Sequence, residues 1–170
     1  MKEGDTQDPR SCVDEPPVVF IGTGEQVFEE MIEEQGVIMV HGPQGGWHML
    51  GSIRIENTSP IVEIDFEIED LHSGVIVSSN HYRVGLLMED DCSGYYPGMY
   101  GYLNVQDLIG DMGNTPPELL GGHLLEMRMQ SNDCTESQNA EGLCIREERW
   151  GTASFLVTAE LDPVDQEDTD

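Results

Sequence analysis

The clearest pattern in the chain is the alternation of apolar and acidic residues from position 61 to position 69. Val62, Ile64, Phe66 and Ile68 are separated by single glutamate or aspartate residues. Because successive side chains of a β-strand point to opposite faces of the sheet, this alternation predicts a strand with one buried and one solvated face. Such strands are typical of antiparallel sheets that are covered on one side only.

Other short apolar segments, separated by Gly, Pro, Asn and Ser residues, predict further strands. These segments lie at 18–21, 37–41, 48–55, 75–78, 82–88, 99–105, 123–130 and 152–161. About seven or eight short strands with turn residues between them favour an all-β fold, an immunoglobulin-like antiparallel β-sandwich. A jelly roll and a partly open barrel are the alternatives.

Two segments have helical features. In the segment 25–36 the apolar residues recur at helical spacing, and Gly36 stands where a helix C-terminus favours glycine. The flanking segments are strand-like, however, so an extended passage into the next strand is an equal alternative. Pro116 to Leu120 predicts a single helical turn, because proline is favoured at the first position of a helix.

The length and polarity of the chain predict one folded domain with polar ends. A chain of 170 residues is long enough to bury one core. We predict a flexible polar leader at 1–17, a single sandwich domain at 18–162 and an acidic tail at 163–170, because charged and proline-bearing termini bury little apolar surface.

Residues 37–55 form the segment of greatest functional interest. Two apolar runs flank a Gly/Pro/Gln/Gly/Gly centre, which predicts a hairpin with a loop of more than two residues. A symmetric hairpin pairs His41 with His48 and places Met39 diagonal to His48, all on one face. The opposite face then faces the core and carries Ile38, Val40, Met49, Ile53 and Ile55.

The predicted pairing of His41 with His48 suggests a transition-metal site. Directly opposed strand residues have Cβ atoms about 4.5–5.5 Å apart, so two imidazoles there can share one ion. The thioether of Met39 beside them suits copper, with zinc as the alternative. The competing interpretation is that both histidines hydrogen-bond the loop backbone and only stabilise its shape. A further ligand is needed, and the chain holds three other histidines: His72, His81 and His123.

Two groups of carboxylates are candidates for calcium. The acidic residues of the 61–69 segment and those at 89–91 carry the oxygen ligands that calcium prefers. Neither group has the spacing of an EF-hand, and alternating acids on a strand normally form its solvated face. Calcium is therefore a less favoured ligand than copper or zinc.

A group of tyrosines lies in and just after a predicted loop at 89–98. Tyr95, Tyr96 and Tyr100, together with Tyr102, offer amphipathic rings to a sugar or a protein. The alternative is that they pack over a sheet edge.

Catalysis has no motif in this sequence. The chain lacks G-x-S-x-G, H-E-x-x-H, a P-loop and a dinucleotide-binding glycine pattern. A glycosidase needs only two suitably spaced carboxylates, but nothing in the sequence selects a pair. We therefore predict a protein that is not an enzyme.

The charge of the chain narrows the choice of partner. The 34 acidic and 7 basic residues give a formal net charge of −27. Such a surface repels phosphate backbones and anionic headgroups, so nucleic acids and basic-patch membrane binding are excluded as partners. Cations are attracted. No apolar stretch reaches membrane-spanning length, and the first residues lack the apolar core of a signal peptide.

The four cysteines predict disulfides. Cys12, Cys92, Cys134 and Cys144 lie in polar segments and lack the C-x-x-C spacing of metal sites. Three pairings are possible, and Cys134 with Cys144 plus Cys12 with Cys92 is the most economical. Disulfides belong to oxidising compartments, so we predict an extracytoplasmic protein, periplasmic, secreted or lipid-anchored, whose signal has been removed.

One run of residues resembles a pattern found elsewhere. The segment Ile21–Glu25, followed by His-Gly-Pro-Gln-Gly-Gly-Trp-His at 41–48, resembles a recurrent pattern in uncharacterised exported or lipid-anchored bacterial proteins. The resemblance covers a small part of the chain. It implies a β-sandwich body and an extracytoplasmic location, and it brings no known activity and no known ligand-binding residue.

Two functional hypotheses follow. The first is a non-catalytic extracytoplasmic binding protein that takes copper or zinc at His41, His48 and Met39. The second is a structural or adhesive cell-surface domain that contacts proteins or glycans, in which the histidine loop only stabilises the fold.

Overall fold

The computed structural model describes residue 12 and residues 15–43, 45–108, 114–133 and 149–163. Within these ranges the chain forms ten β-strands and one short helix, α1, at Pro116–Leu120. The strands are β1 Val18–Thr23, β2 Glu29–Glu30, β3 Gln35–His41, β4 Trp47–Glu56, β5 Ile61–Asp70, β6 Val75–Gly85, β7 Leu87–Met88, β8 Ser93–Tyr102, β9 Leu124–Asp133 and β10 Arg149–Leu161.

The strands form one curled sheet. Their order is β2-β1-β4-β3-β10-β9-β5-β6, and β8 pairs with β4 and carries β7 on its other side. β3 joins the two parts of the sheet, because its residues 40–41 pair with β4 and its residues 35–39 pair with β10. The sheet curls until the chain after β8 approaches β6, where the amide of Asn104 donates to the carbonyl of Val77 at 2.7 Å. The all-β prediction is confirmed.

One strand pair departs from the predicted antiparallel arrangement. β3 and β10 run parallel, with Gln35 opposite Val157 and Met39 opposite Leu161. The other strand pairs of the described ranges are antiparallel. The immunoglobulin-like assignment stays a prediction.

The two segments with helical features behave differently. The segment 25–36 takes the extended alternative, because β2 pairs with the end of β1 there. The helical turn Pro116–Leu120 is confirmed: the Thr115 side chain accepts from the amide of Glu118, and the Glu118 side chain accepts from the amide of Thr115. This reciprocal cap satisfies two amides that the helix itself leaves unpaired.

β8 begins inside the segment 89–98 that we predicted as a loop. Ser93 already pairs with β4, and the register shifts midway so that Pro97 and Gly98 together lie opposite Ser52. Gly98 has a φ of 68°, which glycine adopts without strain. The prediction of a loop was therefore wrong, because a β-bulge accommodates the proline and the glycine within the strand.

The core lies between the two halves of the curled sheet. The predicted alternation of β5 is confirmed, since Val62, Ile64, Phe66 and Ile68 are at most 1% exposed. Two glycines of the opposing strands make room for the Phe66 ring: a Cβ atom on Gly51 would lie 2.7 Å from Phe66 Cζ, and one on Gly101 would lie 3.1 Å from Phe66 Cε1. The two halves of the sheet can therefore approach each other more closely than they could with any side chain at Gly51 and Gly101.

A disulfide ties the segment before β1 to the turn before β8. Cys12 and Cys92 are bridged with their Cα atoms 5.3 Å apart, which confirms that predicted pair. Cys134 and Cys144, most of the leader at 1–17 and most of the tail at 163–170 lie outside the described residues. In the described part of the chain no helix is long and apolar enough to cross a membrane.

Substitution of Gly51 tests the close contact between the two halves. We expect Gly51→Ala to lower the free energy of unfolding by about 1–3 kcal/mol, because the new methyl group collides with the packed Phe66 ring. Gly85→Ala is the matched control, since a Cβ atom there meets no atom within 4 Å. Urea unfolding measures both. Equal stability of the two variants would contradict this account of the core.

Removal of the disulfide tests its role in the fold. The bridge joins residues 80 positions apart, so it restricts the unfolded chain strongly. We expect the double variant Cys12→Ala, Cys92→Ala to lose about 2–5 kcal/mol of stability in guanidinium unfolding. The double variant is used in place of a reductant because it changes this bridge alone. An unchanged unfolding midpoint would show that the bridge does not stabilise the fold.

Candidate functional site

The hairpin formed by β3 and β4 has a different register from the predicted one. His41 lies opposite Trp47, and Val40 lies opposite His48. The turn explains the shift, because the amide of Gly42 donates to the carbonyl of Gly46 at 2.9 Å and brings Trp47 into the strand. A shift of one residue exchanges the two faces of a strand. His41 and His48 therefore point to opposite faces, and the predicted pairing of their imidazoles was wrong.

Met39 is also placed differently from the prediction. Its side chain is 0% exposed and belongs to the core, whereas Ile38, predicted as a core residue, is 40% exposed. The His41 ring stacks on the Trp47 ring, with centroids 4.3 Å apart and an interplanar angle of 6°. Met39, His41 and His48 thus do not converge on one point. In the described ranges no three His, Cys, Asp or Glu side chains are grouped to hold a metal.

On the outer face of β4, His48 instead meets two tyrosines of β8. We define the aromatic patch as His48, Tyr100 and Tyr102. The His48 ring lies 4.4 Å from the Tyr100 ring and 6.4 Å from the Tyr102 ring, and the two tyrosine rings are 5.8 Å apart. Tyr100 is 42% exposed and Tyr102 is 58% exposed. The pairing of β4 with β8 brings three ring systems together on a surface that faces solvent.

The backbone beneath the aromatic patch is fixed to β6. The hydroxyl of Tyr82 donates to the carbonyl of Tyr100. The side-chain oxygen of Asn80 accepts from the amide of Tyr102 at 3.5 Å, and its nitrogen donates to the carbonyl of Phe66 at 3.1 Å. These contacts span the gap where the curled sheet nearly closes. A ligand that binds here meets rings on a backbone that is already ordered, which reduces the entropic cost of binding.

The imidazole of the aromatic patch carries no formal charge at neutral pH. Partial burial lowers the pKa of His48 from its ordinary value of 6.5, so its imidazole is neutral at pH 7. Burial likewise raises the pKa of the neighbouring Tyr82 from its ordinary value of 10. The two ring nitrogens of His48 are therefore a neutral donor and a neutral acceptor on an otherwise acidic protein.

The other predicted tyrosines lie elsewhere. Tyr96 packs against the core, on the inner face of β8. Tyr95 lies opposite Arg54, whose guanidinium is 5.7 Å from the centre of the Phe20 ring and donates to Glu89 at 2.8 Å. The predicted group of Tyr95, Tyr96 and Tyr100 is therefore divided over two faces and two places. Strict alternation along β8 separates Tyr95 from Tyr96 and joins Tyr100 to Tyr102. It also joins Tyr96 to Tyr100, which the bulge at Pro97 and Gly98 prevents.

The acidic residues of β5 form ion pairs with its neighbours. Arg128 of β9 donates to Glu69 of β5 at 2.9 Å. It also donates to Glu126 of its own strand at 3.2 Å. His81 of β6 lies 2.7 Å from Asp65. This row is the solvated, partly neutralised face of the sheet.

The second group of acids supports a turn. The carboxylate of Asp90 accepts from the amides of Cys92 at 2.8 Å and Ser93 at 2.7 Å. The hydrogen bond from the Cys92 amide is the main cause that lowers the pKa of Asp90. Glu89 pairs with Arg54. These side chains are engaged with their own backbone and with an arginine, and calcium has no arranged set of ligands there.

The two histidines His48 and His81 should titrate on opposite sides of pH 6.5. Burial lowers the pKa of His48, so its contribution to stability is complete above 6.5 and is lost as the pH falls. The Asp65 carboxylate raises the pKa of His81, so its contribution is complete below 6.5 and is lost as the pH rises through the folded-state value. NMR titration of the ring protons measures both. Asp65→Asn should lower the midpoint of His81 and leave His48 unchanged, and a His48 midpoint above 6.5 would contradict its burial.

Comparison with known proteins adds little to this geometry. No protein-family model matches the chain, and no curated protein sequence matches it. Among solved structures, the CooA pilin subunit from enterotoxigenic Escherichia coli is similar with a TM-score of 0.29 and 9% sequence identity, over 88% of this chain and 100% of that chain. A TM-score this low carries neither fold nor function from one chain to the other.

Proposed function

We propose that this protein is a non-catalytic, extracytoplasmic binding domain that holds neutral glycans on the aromatic patch. The observation that carries the proposal is the grouping of His48 with two half-exposed tyrosines on ordered strands. Aromatic faces contact the apolar C–H faces of sugar rings, and the phenol and imidazole edges hydrogen-bond sugar hydroxyls. Shallow sites of this composition fix a ligand through a few polar groups set among apolar ones.

The size of the aromatic patch favours a sugar over a protein partner. A stable protein interface buries about 800 Å² on each partner. Two half-exposed tyrosine rings and one less exposed imidazole offer far less area than that, because a fully covered aromatic side chain buries about 150–250 Å². That area matches one or two sugar rings.

The charge of the protein selects the class of glycan. With a net charge of −27, the surface repels sialylated, sulfated and uronic-acid-containing chains. The neutral His48 imidazole provides no cation to offset that repulsion. Neutral hexoses and N-acetylhexosamines are therefore the sugars that fit.

The disulfide supports an extracytoplasmic location. The bridge between Cys12 and Cys92 spans 80 positions and ties two distant segments, as a structural disulfide does. Such bridges persist in oxidising compartments and are rare where thiols are kept reduced. A location outside the cytoplasm also gives the protein access to surface glycans.

Substitution of the two tyrosines tests the proposal. We expect the wild-type protein to bind members of a neutral glycan array, and isothermal titration with the best of them to give about tenfold weaker binding for Tyr100→Ala and for Tyr102→Ala, about 1.4 kcal/mol each. Melting temperatures should change little, because both side chains face solvent. Trp150→Ala is the matched control, an aromatic residue of β10 that is 45% exposed.

Two results would overturn the proposal. One is a wild-type protein that binds no neutral glycan on the array. The other is binding that the two tyrosine variants retain in full, since the ligand would then lie elsewhere. A preference for acidic glycans would contradict the electrostatic argument.

A further inference from the structure

A second group of side chains lies where β5 ends and β9 begins. β5 and β9 are paired so that Asp70 lies opposite Leu125, which brings the turn after β5 beside the residue that precedes β9. His72 is in that turn and His123 is in that connection. Their rings have centroids 4.8 Å apart with an interplanar angle of 41°. The two histidines are far apart in the sequence and share no residue with the aromatic patch.

A buried carboxylate orients one of these rings. Asp70 is 1% exposed, and its Oδ1 atom lies 3.1 Å from Nδ1 of His123. It also accepts from the amide of His72 at 3.2 Å and from the hydroxyl of Ser73 at 2.7 Å. With its Nδ1 atom facing the Asp70 carboxylate, the His123 ring presents its Nε2 atom away from Asp70. Metal-binding histidines are typically held by a carboxylate in this way.

The spacing of the two rings matches a shared metal ion. With metal–nitrogen bonds of about 2.0 Å, two imidazoles on one ion have ring centroids about 4.5 Å apart at the 90° angle of a square-planar copper(II) site and about 5 Å apart at a tetrahedral angle. The observed 4.8 Å lies between these two values. His72 is exposed, and neither of its ring nitrogens hydrogen-bonds within the described ranges. One oriented and one available imidazole therefore stand at ligand spacing.

We propose that His72 and His123 bind a divalent transition-metal ion, copper(II) most tightly, with Asp70 as the positioning residue. Copper(II) binds nitrogen ligands more tightly than the other divalent first-row ions, including zinc. The described ranges bring no third His, Cys, Asp or Glu side chain into a metal-binding group, so water completes the coordination sphere. The strong negative charge of the protein raises the local concentration of cations around this open site.

Copper titration of the metal-free protein tests the proposal. We expect calorimetry to show one copper(II) equivalent per chain, and electron paramagnetic resonance to show hyperfine coupling to two imidazole nitrogens. His72→Ala and His123→Ala should each weaken binding at least tenfold and remove one nitrogen from the spectrum. His41→Ala and His81→Ala are the matched controls and should bind copper like the wild type.

The positioning role of Asp70 is tested separately. Asp70→Asn keeps the shape of the side chain and should weaken copper binding by about 10–100-fold while the spectrum keeps two nitrogens. Because Asp70 is buried, circular dichroism must first show that this variant folds; if it does not, the exposed His72 still decides the question. Copper held only through oxygen ligands, or wild-type affinity in both His72→Ala and His123→Ala, would overturn the proposal.

Discussion

The fold depends on the contact between the Phe66 ring and the bare backbone at Gly51 and Gly101. These three residues come from β5, β4 and β8 and meet where the two halves of the curled sheet face each other. The close approach fixes which side of β4 and β8 faces inward. Since side chains alternate along a strand, it also fixes that His48 and Tyr100 face outward. The aromatic patch is thus a consequence of how the core is packed.

The sequence predicts a strand well where the polarity of each side chain shows whether it faces the core or the solvent. β5 was predicted correctly because acids and apolar residues alternate at every position. β3 gave no such signal, because Val37 to Val40 is an unbroken apolar run that fits either face. Its register depends on a turn that is one residue shorter than the predicted one and on the stacking of His41 against Trp47. Because the turn is one residue shorter than predicted, His41 and His48 lie on opposite faces and do not form the predicted metal site.

Contacts between distant segments could not be predicted from local patterns. The parallel pairing of β3 with β10 leaves no trace in either strand alone. The proline and glycine of β8 favour a loop locally, and pairing with β4 overrides that preference through a bulge at Gly98. The same holds for His72 and His123, which the pairing of β5 with β9 brings together. In each case the contact depends on which strands are neighbours in the sheet. That order is a property of the whole fold and is not visible in any one segment of the sequence.

The placement of charge connects the two proposed sites. Arg54 and Arg128 are each engaged by glutamates, so these two guanidinium groups neutralise some of the acids near them and leave the large overall excess in place. That excess excludes acidic sugars from the neutral patch around His48 and draws cations toward the exposed imidazole of His72. Because the Debye length at physiological salt is about 8 Å, both effects act only near each site. One negative field thus disfavours anionic ligands at the aromatic patch and favours cationic ligands at the two histidines.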